Sequence, residues 1–477
     1  MVAHTSATPR AKGRAAAARP GYDPVVSRTS FNPVDAAWLA MEDPTNLMMV
    51  TGVLVLDGRL DDARFRRLLE ERLLPFPRFR RRIEQPPFGI GLPGWVDDAA
   101  FDLDTHVHRV ALPEPGDQAA LEALVSDLLS TPLDLTKSPW QLHVVEHGDG
   151  TVVIARLHHC IADGIALIQV LLSLTDTSAR PRPRRRPEPS RPAPPDPWQR
   201  AGAWLADTGR ELLRDPSRAL AGAGVGAGAV GTLAQLALLP SDPITALKGP
   251  LSAGKRVAWS TSIDLAAIKD TGTRHGTTVN DVLLTAAAGA LRAYLAERGE
   301  STFGLELRAT VPVNLRGDGS AAGLGNRFGL VFLPLPLGIE DPARRLHELH
   351  LRTHQLKSSL QPLVAYGALH GIGVLPAPAR QWAVDFFGSK ASVVVSNVPG
   401  PRRRLFMAGL PLRQVMFWVP QAGRMGLGLS LLSYAGEVTV GVASDAGLIP
   451  DPERLVAAFR DETARIVDAA PLRRPAG

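Results

Sequence analysis

One cysteine, Cys160, stands among 477 residues. It has no partner for an internal disulfide, which excludes a cysteine-stapled secreted scaffold and a multi-cysteine zinc site and fits a reducing compartment. Aromatic residues make up 5% of the chain, which gives little support for a base-stacking surface, so no nucleic-acid partner is expected. No stretch has the run of about 18 or more strongly apolar residues that a spanning helix needs. The nearest case, Ala219 to Ser241, is uncharged, but its Gly/Ala core contributes little transfer free energy. It is read as a packed or surface helix, with interfacial membrane contact as the alternative. Residues 1–22 lack the continuous apolar region of a signal peptide and are expected to form a disordered arm. No GxSxG elbow or Walker loop occurs, and GAGAVG at Gly226 to Gly231 matches GxGxxG without a preceding strand.

Hydrophobic residues are 45% and charged residues 21% of the chain, enough to bury a substantial core. The net charge of +6 favours anionic partners such as phosphates or acidic lipid surfaces. The 44 glycines and 41 prolines call for long loops or linkers, and one is plain. Arg180 to Pro195 holds seven prolines and six arginines in sixteen residues, a composition that cannot hold a helix or a central strand. A tether and helical linker is therefore placed at 176–254. It separates an N-terminal half, 23–175, from a C-terminal half, 255–469, with a short tail at 470–477.

Apolar periodicity then supplies elements in both halves. A strand at Met48 to Gly58 precedes a helix at Asp61 to Leu74, and a hairpin spans Gln141 to Leu157 around a glycine turn. A buried helix follows at Ile165 to Leu174. The second half repeats the mixture, with helices at Leu265, Thr278 to Arg298 and Pro342 to Leu356, and strands at RVAWSTSI, LELRATVPV, FGLVFLPLPL, ASVVVSNV, MGLGLSLLSY and EVTVGVAS. Interleaved helices and strands give an α/β fold class.

The chemistry is concentrated where the hairpin's second strand runs into His158-His159-Cys160-Ile161-Ala162-Asp163-Gly164. Adjacent residues on an extended segment face opposite ways, so one histidine is expected to act as a base and the other to support the structure. Asp163 either orients the imidazole or braces the turn through an arginine. Gly164 permits a tight or positive-φ start to the helix.

HHCIADG is similar to the HHxxxDG signature of acyl-CoA-dependent acyltransferases. The flanking segments narrow the likeness. NPVDAAWLAMEDPTNLMMVTGVLVLDG, SPWQLHVVE, LKGPLSAGKRVAWS, VNDVLLTAAAGALRAYL, VPVNLR, GNRFGLVFLPLP and VVVSNVPGP occur in order between Arg28 and Ala469. Together they resemble the bacterial wax ester synthase/diacylglycerol acyltransferases. The resemblance implies two chloramphenicol acetyltransferase-like domains in pseudo-two-fold arrangement with a central channel. It implies transfer of a fatty acyl group from acyl-CoA to a long-chain alcohol or a diacylglycerol. Acyl-CoA is then a substrate, with no cofactor and no metal. The alternatives are a same-fold acyltransferase with another hydroxyl acceptor and a non-catalytic lipid-binding protein.

By that resemblance His159 is the general base, His158 its neighbour, and Asp163 the structural aspartate, with Arg316 as its candidate partner. Asn280 and Asp281 match a motif that helps the oxyanion or positions CoA, or else caps a helix. Pro139 and Trp140 serve packing or line the acyl channel. Cys160 sits at a variable motif position and is assigned to packing. His347, His350 and His354 share a helical face but lack the HExxH spacing, so a solvated or packed face is expected. Arg78 to Arg82 and Arg402 to Arg404 are solvated charge runs or contacts for CoA phosphates or headgroups. The protein is expected to be cytoplasmic, peripheral on the inner membrane face or on lipid droplets.

Overall fold

The structure, a computed structural model, describes residues 28–86, 91–180, 231–315, 326, 328–357 and 359–472. The N-terminal arm, most of the Pro/Arg linker and Arg316 lie outside the described residues.

Two seven-stranded sheets organise the chain. The first runs in the order Val107–Val110, Trp140–His147, Gly150–His158, Met49–Leu56, Leu410–Trp418, Phe406–Met407 and Thr175–Asp176. In the second, Ile263–Asp264, Glu437–Asp445, Leu427–Tyr434, Val393–Pro399, Leu307–Asn314 and Phe328–Leu335 lie side by side, and Lys255–Trp259 also pairs with Glu437–Asp445. In a third sheet of three short strands, Gly94–Asp97 lies between Arg81–Glu84 and Thr29–Ser30. The strand Leu410–Trp418, unread at the sequence level, comes from the second half and inserts antiparallel beside Met49–Leu56, with Trp418 opposite Thr51. The second half thus completes the first half's sheet.

Local chemistry explains the elements that matter for the site. The hairpin strands alternate their burial partners: Val153, Ala155 and Leu157 pack with the helices Asp62–Arg72 and Gly164–Ser173, whereas Val152 and Ile154 pack against the helix Gln118–Ser130. The helix Gly164–Ser173 is uncharged and rich in Leu and Ile, as a helix enclosed by a core should be. The helix Pro33–Ala40 begins at Asn32, whose side chain accepts the Asp35 N–H at 2.7 Å, and carries proline at its first position. It packs against the helix Gln361–Val374 so closely that a Cβ on Gly373 would come within 1.8 Å of the Pro33 carbonyl oxygen. Only glycine allows that approach. The long helix Val279–Glu297 starts with a reciprocal capping box between Thr278 and Asp281 and buries its Ala/Leu face in the second core.

Candidate active site

The strand Gly150–His158 ends at the junction of the sheets, and its last residue and the next diverge. His158 pairs with Met49 across the sheet and its N–H donates to the Pro139 carbonyl at 3.0 Å, while the His159 N–H donates to Met48 O at 2.8 Å. Both rings are buried, yet their surroundings differ. His158 Nδ1 accepts the Cys160 backbone N–H at 3.1 Å, which leaves the proton on Nε2, and Nε2 faces the Glu42 carboxylate at 3.2 Å. That ring is fully committed to protein partners.

His159 instead lines a largely apolar cavity between the two sheets. Trp38 stacks on the ring with centroids 4.1 Å apart, Phe328 tilts against it at 5.7 Å, and no described residue has hydrogen-bond geometry to its Nδ1. Burial pushes the His159 pKa down to about 3, because an apolar surround disfavours the imidazolium. The ring is therefore neutral, with a lone pair available, at any physiological pH. The cavity wall is mostly apolar, with Phe328, Leu330, Val394, Phe417, Val419 and Met425 among its members, and polar atoms come from Thr310, Ser396, Asn397 and Asp163. Strands of both sheets and the start of the helix Gly164–Ser173 thus enclose one space. Apolar walls with a few placed polar groups and one unpartnered base suit a long hydrocarbon chain bearing a reactive end.

The remaining sequence-level candidates fall into three groups. Asp163 lines the cavity and caps the following helix, its Oδ1 accepting the Ala166 N–H at 2.8 Å. Gly164 also lines the cavity, but its φ is not positive. A Cβ there would stand 3.2 Å from Val419 Cγ1, a tight contact that Val419 would have to relieve. Asn280 and Asp281 stand behind the wall. Asn280 Oδ1 accepts from Asn397 Nδ2 at 2.9 Å, and Asn397 is the residue that reaches the cavity. Asp281 is buried, held by Thr278, His350 and Thr353, with His350 Nδ1 at 2.8 Å. Those hydrogen bonds keep its carboxyl below the usual range despite burial.

Of the two roles expected for Pro139 and Trp140, packing and channel lining, the surroundings of Trp140 match packing. Trp140 is 1% exposed, stacks on His106 at 4.5 Å and donates Nε1–H to the Phe79 carbonyl, so it belongs to the core. Arg78 is likewise not part of a solvated run. Its guanidinium pairs with buried Asp35 at 2.8 Å and donates to the carbonyls of Cys160 and Ile161. A buried carboxylate draws the nearest cation inward. Trp38, Asp35 and Glu42 all sit in NPVDAAWLAMED, and Asn326 in GNRFG, yet none stood out alone. Their shared signal was polar or bulky residues set in apolar segments.

This arrangement accompanies a family match. The family model described as the wax ester synthase/diacylglycerol acyltransferase catalytic domain matches residues 31–283, and the WS/DGAT C-terminal domain matches 324–466. The chain belongs to the wax ester synthase/diacylglycerol acyltransferase family. A Mycobacterium bovis protein named as a diacylglycerol O-acyltransferase is 31% identical over 443 residues, covering 91% of this chain and 95% of that one. A Mycobacterium tuberculosis protein of the same name is 31% identical with the same coverage. The wax ester synthase/diacylglycerol acyltransferase of Marinobacter aquaeolei VT8 shares the fold at a TM-score of 0.65, with 23% identity over 92% of this chain and 98% of that one. The starter condensation domain of rhizomide synthetase matches at a TM-score of 0.59, with 16% identity over 93% and 96%. The two-sheet architecture is therefore the two-domain fold of WS/DGAT enzymes and condensation domains. Acyl-CoA-dependent acyl transfer is this WS/DGAT chain's chemistry.

Proposed function

We propose that His159 is the general base for acyl transfer from acyl-CoA to the hydroxyl of a long-chain alcohol or a diacylglycerol. The observation that carries this reading is the buried, neutral His159 imidazole on the wall of the apolar cavity. The acceptor oxygen attacks the thioester carbonyl while the imidazole takes its proton. Collapse of the tetrahedral intermediate breaks the carbon–sulfur bond, and the imidazolium returns the proton to the leaving CoA sulfur. His158 and Glu42 support the turn from behind, and Asp163 with Gly164 begins the helix beside the cavity. The halves 23–175 and 255–469 serve as the two walls, joined by the inserted strand Leu410–Trp418.

The same reading places the protein peripherally at a lipid surface, on the inner membrane face or on lipid droplets. Among the described residues no helix is long and apolar enough to cross a membrane. Eight large exposed hydrophobics, including Leu238, Ile244, Leu363, Val374 and Trp382, fall between 233 and 244 or between 360 and 382. These segments share a small core that also contains Val394 and Met425 of the cavity wall.

Labelled palmitoyl-CoA offered in parallel to hexadecanol, diacylglycerol and a short alcohol tests the assignment. Radiolabelled ester with the long acceptors is the expected product. Tight acyl-CoA binding with no ester from any acceptor would make this a lipid-binding protein.

A further inference from the structure

Three successive carbonyls follow the strand Gly150–His158, and each is held from outside its own element. Asn326 Nδ2 donates to His159 O at 2.9 Å, and Arg78 Nη1 donates to Cys160 O at 3.2 Å and to Ile161 O at 2.5 Å. Both donors meet at one carboxylate. Asp35 Oδ1 accepts from Asn326 Nδ2 at 2.8 Å and from its backbone N–H at 3.2 Å, and Oδ2 pairs with Arg78 Nη2 at 2.8 Å. Asp35 is 0% exposed. Burying a carboxylate is costly unless it is paired and hydrogen-bonded, and its helix has other anchors in the Asn32 cap and the Gly373 contact. The charge therefore serves the two arms that reach the turn.

We propose that Asp35 is a positioning residue for His159, acting through Arg78 and Asn326 to fix the backbone of residues 159–161. The proposal rests on the reading of His159 as the base. Without a described hydrogen-bond partner at Nδ1, the His159 ring takes its placement from its own backbone, from the stacked Trp38 and from Phe328. Trp38 lies three residues along the same helix as Asp35, so one helix supplies the stacking ring and the carboxylate behind the turn. Catalytic groups must be held to within about 0.5 Å, and a misplacement of about 1 Å can cost about 100-fold in rate.

The test uses the full chain. Asp35→Asn keeps an oxygen for Asn326 and removes the charge facing Arg78. We expect kcat to fall about 100-fold while KM for palmitoyl-CoA changes by less than about threefold, the pattern of an interaction acting in the transition state. In ¹⁵N-imidazole-labelled protein, the His159 signal, assigned by its loss in His159→Gln, should be single in the parent and broadened or split in Asp35→Asn. Ile466→Ala, a destabilising change in the second core, should alter neither readout. If Asp35→Asn fails to fold, Asn326→Ser cuts the arm to the His159 carbonyl and should show the same pattern at about tenfold. Parental kcat with an unchanged ring signal, or a raised KM with kcat intact, overturns the proposal. If the parent makes no ester, the acyl-transfer reading fails separately, and an unchanged His159 signal in the variant still overturns the role of Asp35.

Discussion

The indole of Trp38 lies almost parallel to the His159 imidazole, with centroids 4.1 Å apart and planes 27° from each other. The contact excludes water from one face of the ring and stops it rotating away from the cavity. Trp38→Phe should keep most of the activity, since a ring remains to stack. Trp38→Ala should lower kcat by about 100-fold, as misplacement of a reacting group typically does, and destabilise the fold by about 3–5 kcal/mol, the usual cost of removing a buried Trp. Steady-state kinetics and thermal melts of both variants check this, and equal activities would remove stacking from the account.

His159→Ala should lower ester formation by about 10²-fold to 10⁴-fold with the fold intact, the typical contribution of a general base. His158→Ala should act through packing instead, since its ring is engaged by Cys160 and Glu42. It should lose stability along with rate. The reverse order in a folded pair of variants would exchange the two assignments.

Acid should destabilise the protein. Burial holds His143 down to about 4 and His159 to about 3, whereas an unfolded imidazole titrates near 6.5. Between those values the unfolded chain binds protons that the folded one refuses, so stability is present above about 6.5 and falls with pH toward the folded pKa values. Melting temperature against pH should show that slope, and His143→Gln should flatten it. The same shift means that kcat/KM should show no acid limb near 6.5 arising from His159. Such a limb, lost in His159→Gln, would contradict the neutral ring.

Two substitutions at Asp163 separate its cap from its charge. Asparagine caps helices as well as aspartate does, whereas alanine does not, and losing a cap costs about 0.5–2 kcal/mol. Asp163→Ala should therefore melt below Asp163→Asn. Activity lost in Asp163→Asn at an unchanged melting temperature would mark the carboxylate itself as necessary at the cavity.

Binding to anionic vesicles should be strong at low salt and released at high salt. The six arginines between Arg180 and Arg191 would contribute roughly 1 kcal/mol each near such a surface, and salt screens that attraction. Co-sedimentation across a salt series measures it. Salt-resistant binding, lost on replacing Trp382 and Leu363 with Ser, would instead assign the contact to the exposed apolar residues.

HHCIADG, the strand before it and the helix after it were legible because each depends on neighbours within about fifteen residues: alternation for the strand, an apolar run for the helix, Asp163 for its cap. The ordered segments from NPVDAAWL to VVVSNVPGP carried the family for the same reason, as linear text. What no linear reading supplied was distance. Asn326 lies 167 residues from His159, and Arg78 meets Asp35 only once the first half has folded and brought the two segments together. Arg78 looked like one of a run of exposed cations, and only a buried carboxylate at 2.8 Å turns it inward. Trp140 was open to packing or channel lining, and its contacts with His106 and Phe79 show packing. Apart from the family resemblance, which histidine faces the cavity was also a tertiary decision. Alternation along a strand says that two neighbours part, while the packing of Glu42 on one side and Trp38 on the other decides which one stays free.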